Sequence, residues 1–226
     1  MTRHKKYYII LSLLIFSLSV TFIDAFIHPP YIVKIMIKMI FFLGIPLLFF
    51  MIYKNEWKEF KALFKFDRKS IFISVLIGSI IFCIILGGYF LTRSYIDFSG
   101  VADSLSSGMG ITKENIFSVG MYIAFLNSFL EEFFFRGFGF ITLKKYVDRK
   151  FAYIFSPVLF AVYHIGMLSL MFHPIVLLLL MAGLIVGGMI FNFLNDYFGN
   201  IYPSWFVHMA ANFAINTIGL ILYGIL

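Results

Sequence analysis

Charge is what this sequence has least of. Of its 226 residues only 13% are Asp, Glu, Lys or Arg, while 62% are hydrophobic and 20% aromatic. That composition lies outside the range of soluble globular domains. The single cysteine, Cys83, lies in an apolar run, so no internal disulfide can form and the residue reads as a small packing group. No Pro/Ser-rich linker, low-complexity tract or internal repeat divides the chain, which leaves one compact integral membrane domain over residues 1–226. The patterns H-E-x-x-H, G-x-G-D and G-x-S are also missing. Their absence argues against a zinc-protease helix, an aspartyl pair and a serine nucleophile.

What is abundant is apolar runs of about 20 residues, the length that crosses a bilayer. They predict an all-α, polytopic transmembrane bundle with spans near 7–27, 31–53, 71–92, 115–143, 151–170, 174–194 and 201–224. Seven is the expected count, with six or eight as alternatives. Only "SLMFHP" separates the fifth run from the sixth, and the fourth is long enough to contain a break. The N-terminus runs from basic to apolar without a clean small-x-small site, which reads as an uncleaved signal anchor.

The formal charge of +7 does not point to nucleic acid, because the Lys and Arg residues follow segments: three in 1–6, six in 54–69, four in 144–150 and two in 93–114. By the positive-inside rule the N-terminus is expected in the cytoplasm and, with seven spans, the C-terminus outside. Heavy use of Lys, Ile and Phe suggests an AT-rich bacterial genome and therefore a bacterial plasma membrane. In "KNEWKEFKALFKFDRK" (54–69), Lys54, Lys58, Lys61 and Lys65 share one helical stripe, and Trp57, Phe60, Leu63 and Phe64 another. This cytoplasmic amphipathic linker is expected either to lie on the anionic leaflet or to bridge two spans as a solvated connector.

The fourth run contains "NSFLEEFFFRGFGF" (127–140), which sets three ionisable groups where each costs about 2.5 to 3.5 kcal/mol. Glu132 and Arg136 are four apart and can share a helix face. Glu131 points about 100° away on an ideal helix and needs another partner. Few polar residues sit at its depth: His164, His208 and Asn212, with Asn127 and Asn216 as outliers. At about 1.5 Å per residue, Glu131 lies some 20 Å from Lys144, His164 some 20 Å from Lys150 and Asn212 some 18 Å from Asn200. His208 and Asn212, at i and i+4, share a helix face. These residues are expected to line one cavity opening toward the cytoplasmic half. A carboxylate to act as base on water, a histidine to share the proton and a His/Asn pair to hold an oxyanion suit amide hydrolysis.

Three motifs in order carry a resemblance: "EEFFFR" at 131–136 followed by Gly137, "FAVYH" at 160–164 and "HMAAN" at 208–212. Together they resemble the CAAX-protease and bacteriocin-processing (CPBP, Abi or type II CAAX prenyl endopeptidase) family of intramembrane proteases, over roughly residues 115–216. The resemblance implies that Glu131 activates water with His164, and that His208 and Asn212 form the oxyanion site. Glu132 and Arg136 would orient the first glutamate. No metal is expected; the alternative is zinc held by Glu131, His164 and His208. Eukaryotic relatives cleave prenylated tails, and bacterial ones are linked to peptide maturation, bacteriocin immunity and regulated proteolysis. The substrate expected here is a membrane-associated peptide or protein. A non-catalytic scaffold or immunity protein and a proton-coupled transporter are the competing readings; against the latter, no inverted repeat or paired half-helix is present.

Overall fold

The computed structural model describes residues 2–29 and 31–226. Among the described residues, seven helices are long and apolar enough to cross a membrane: Arg3–Ile27, Ile32–Ile52, Arg68–Thr92, Ile116–Lys145, Arg149–Leu168, Pro174–Phe198 and Tyr202–Leu222. They are called here the first to seventh spans. The chain is thus an all-helical, multi-pass membrane protein. The short turn after Leu168 separates the fifth and sixth spans, and His173 caps the sixth by accepting from the Ile175 amide at 3.5 Å. Alternating crossings put the N-terminus, residues 53–67, 146–148 and 199–201 at one end, the basic end, and the remaining connections at the far end.

The fourth span is the axis of the bundle. Half of its most apolar stretch is buried inside the protein, against 11% for the third and sixth spans. Phe133, Phe134, Phe135, Phe138 and Phe140 are buried there with Phe42, Phe49 and Phe50 of the second span, and Phe42 stacks on Phe134 with centroids 4.5 Å apart. The third and seventh spans make the most extensive helix pair, drawn close by small residues: a Cβ on Gly78 would come 2.9 Å from that of Ala210. Outward side chains such as Phe72, Leu91 and Leu178 are more than two-thirds exposed, as a lipid-facing surface requires.

No break interrupts the fourth span. Instead it widens twice into π-helix, over Ile123–Asn127 and Glu132–Thr142. Wider turns take carbonyls out of the α-helical ladder, and in lipid each needs a donor from elsewhere. Side chains supply them. Asn212 donates to the Ile123 carbonyl at 3.2 Å, Trp205 to that of Phe125 at 3.1 Å, Ser156 to that of Phe135 at 2.6 Å and Thr142 to that of Gly137 at 2.9 Å.

The linker joins the second and third spans with its lysines exposed and part of its apolar face on the protein. Its helix, Trp57–Leu63, docks on the protein: Phe60 and Phe64 lie 6.1 and 5.8 Å from the Phe133 ring, and the Leu63 carbonyl accepts from the Ile201 amide at 3.0 Å. Its acids turn inward, Glu56 to Lys5 and Glu59 to Lys145, both at 2.5 Å, while Lys54, Lys58, Lys61 and Lys65 stay exposed. Lys144 and Arg149 meet on Asp196. The apolar face therefore finds protein rather than lipid, because the phenylalanines of the fourth span offer a larger apolar partner at the same level.

Candidate active site

Glu131 ends the α-helical turn Ser128–Glu131, and Glu132 begins the second π stretch. Both are buried, at 2% and 0% exposure, and they converge on one imidazole. His208 Nδ1 lies 2.8 Å from Glu132 Oε1, and its Nε2 lies 3.6 Å from Glu131 Oε2. Divergence by about 100° holds for an ideal α-helix; the junction of narrow and wide turns brings the two carboxylates to the same neighbour.

The two oxygens of Glu131 are used differently. Oε1 accepts from Asn127 Nδ2 at 2.6 Å and from the Tyr163 hydroxyl at 3.0 Å. Among the described residues, Oε2 has only the facing His208 nitrogen. Glu132 pairs with Arg136 at 3.4 Å in the expected i,i+4 geometry, with both side chains fully buried. The guanidinium is flanked by the rings of Phe160 and Phe191, at 4.0 and 5.1 Å, and such faces favour a cation. Gly188 makes room for it: a Cβ there would sit 3.0 Å from Arg136 Nη2.

His164 packs edge-on against Phe160 and Tyr163, and its Nδ1 lies 2.7 Å from the Phe160 carbonyl. A carbonyl only accepts, so Nδ1 carries hydrogen and Nε2 of the neutral ring is an acceptor. Asn212, one turn beyond His208, spends one amide hydrogen on the Ile123 carbonyl and keeps the other. The expected residues therefore share one neighbourhood, with Glu131, Glu132, Arg136 and His208 directly linked and His164 and Asn212 each tied to backbone beside them. Among the described residues no three His, Cys, Asp or Glu side chains are arranged to hold a metal ion.

Toward the basic end the fourth span continues through the buried phenylalanines 133–135, 138 and 140, against which the linker docks. Exposure rises the other way, where Phe125 and Leu126 are each 44% exposed. Two concavities lie away from the cluster: about 520 Å³ beside Arg93, Asp97 and Leu222, and about 530 Å³ along Leu18–Ile23.

Three contacts escaped the sequence reading. Asn127 was an outlier by depth, although its i−4 spacing to Glu131 was visible. Tyr163 stands next to His164 within "FAVYH" and carried no charge to mark it. Lys38, whose Nζ donates to Asn127 Oδ1 at 3.1 Å, lies inside the second span, whereas basic residues were counted in the connecting segments.

Comparison with curated proteins and with solved structures finds no match. A family model does match residues 113–214, described as type II CAAX prenyl endopeptidase Rce1-like, and that stretch contains Glu131, Glu132, Arg136, His164, His208 and Asn212 while leaving out the first three spans. With the three motifs in order, the matched segment inside a helical bundle and its polar residues gathered at one buried site, residues 113–214 are similar to the type II CAAX prenyl endopeptidase Rce1-like family.

Proposed function

We propose that the protein is an intramembrane endopeptidase that hydrolyses a peptide bond in a membrane-associated peptide or protein, with Glu131 as the base and no metal. The observation that carries this reading is the pairing of Glu131 Oε2 with His208 Nε2 at 3.6 Å. Glu132 accepts the Nδ1 hydrogen of His208, so Nε2 of the neutral ring is an acceptor, and it faces a second acceptor. A water donating one hydrogen to each satisfies both and leaves a lone pair free to attack. His164 Nε2, a further acceptor beside them, helps to hold that water.

In the reaction the water oxygen adds to the scissile carbonyl carbon while Glu131 takes one proton. The free Asn212 amide hydrogen stabilises the oxyanion, as does His208 Nε2 after the proton passes to it from Glu131 across the 3.6 Å contact. The C–N bond then breaks, the relayed proton leaves with the amine, and the second product is a carboxylate. Arg136 and Glu132 fix the histidine and balance the buried charge. The basic end is assigned to the cytoplasm on the distribution of Lys and Arg between the connecting segments, and the protein to a bacterial plasma membrane on its heavy use of Lys, Ile and Phe.

The test is cleavage by purified protein in lipid vesicles of a pooled set of membrane-associated peptides, followed by mass spectrometry. Activity is expected to persist in a strong chelator and to vanish in Glu131→Gln at unchanged folded yield. Activity that stops in chelator and returns with zinc overturns the metal-free assignment. Cleavage by Glu131→Gln at the wild-type rate overturns the assignment of the base.

A further inference from the structure

Lys38 is the charged residue whose place the proposed chemistry has not used. It lies on the second span, outside the family-matched segment 113–214, where an ammonium is costly unless partnered. Its neighbour Lys34 has a carboxylate, Asp24 at 2.9 Å. Lys38 instead contacts the two residues that hold Glu131. Its Nζ donates to Asn127 Oδ1 at 3.1 Å and lies 5.2 Å from the centre of the Tyr163 ring. Asn127 Nδ2 and the Tyr163 hydroxyl both donate to Glu131 Oε1.

An ammonium can only donate, so it fixes which way the Asn127 amide points. Oδ1 must face Lys38, and the NH₂ must then face Glu131. With Lys38 gone, the amide is free to turn its oxygen toward the carboxylate, where the contact is repulsive. We propose that Lys38 is a positioning residue that locks Asn127 and Tyr163 onto Glu131 Oε1, so that Oε2 alone is left for water and His208. The other titratable groups around Glu131 are Tyr122, Glu132 and Arg136 on its own span, Tyr163 and His164 on the fifth and His208 on the seventh. Lys38 is the cation supplied by the second span, and it acts through the amide rather than by contact. The inference rests on the protease reading for its consequence but not for its geometry.

Dicyclohexylcarbodiimide modifies buried carboxyl groups in their protonated form, so the rate of Glu131 labelling, mapped by mass spectrometry on protein in lipid nanodiscs, reads this lock directly. Lys38→Met is expected to label at Glu131 at least about tenfold faster near neutral pH, the size that follows from losing a hydrogen bond donated to the charged carboxylate. Lys38→Arg should stay near wild type. Asn127→Leu should behave as Lys38→Met does, and the double variant should add little, because the two act in series. Where a peptide is cleaved, Lys38→Met should lower kcat with KM near wild type. Wild-type labelling of Lys38→Met overturns the inference, and if that variant is not recovered folded, wild-type labelling of Asn127→Leu does so equally. Lys38-dependent labelling without any peptide cleavage counts against the protease reading alone.

Discussion

At the scale of single residues, the feature that organises the site is an imidazole with a carboxylate at each nitrogen. Glu132 sets the tautomer and Arg136 neutralises Glu132, so the guanidinium acts on Glu131 at one remove. Arg136→Ala leaves a buried carboxylate uncompensated, and a stability loss of about 3 to 5 kcal/mol is expected, visible as lower folded yield in detergent and lower activity together. Asn212→Ala removes the proposed oxyanion donor, so kcat should fall by about 10²- to 10³-fold with KM near wild type in the peptide assay. The residues behind these expectations were legible because each is polar within an apolar run, where nothing else accounts for it. The use of His208 by both glutamates was not legible. It depends on a change of helical pitch between residues 131 and 132, and a helical wheel assumes one pitch throughout. Lys38 was hidden for another reason: its partner is on a different span, and sequence spacing says nothing about that distance.

At the scale of elements, the seven spans followed from length and hydropathy, whereas the two π stretches did not, because what stabilises them is donors on other helices. Ser156, Trp205 and Asn212 each read as an ordinary helix residue until the carbonyl opposite is known. Close approach is the second device that only tertiary structure reveals. Gly188 on the sixth span faces Pro157 of the fifth, and a Cβ there would come 2.7 Å from the proline Cβ as well as 3.0 Å from Arg136 Nη2. Gly188→Ala therefore overpacks the pocket that holds the guanidinium. A cost of about 1 to 3 kcal/mol is expected, read as a lower midpoint of thermal unfolding in detergent. Ala at Gly183 or Gly187, where a Cβ meets nothing within 4 Å, should leave the midpoint in place.

At the scale of the whole molecule, the basic end is tied by ion pairs that join segments far apart in sequence. Burial pushes the Glu56 carboxyl up, but the hydrogen bond and charge of Lys5 and the charge of Lys145 outweigh it and hold the group below its ordinary value of 4.5. A carboxylate whose folded value is depressed contributes stability that is present above the ordinary value and lost as pH falls through the folded one. Wild type should thus exceed Glu56→Gln in unfolding midpoint at neutral pH, with the gap closing below about pH 4.5. A gap that persists in acid would show that the side chain acts by packing rather than charge. The arrangement of the site also sets a timetable for its birth. Glu132 leaves the ribosome 76 residues before His208, an interval of about 4 to 15 s at roughly 5 to 20 residues per second. During that interval the nascent chain holds two membrane-embedded acids without the histidine that joins them. On the proposed chemistry the protein is thus inert throughout its own insertion, and the seventh span both closes the bundle and completes the site.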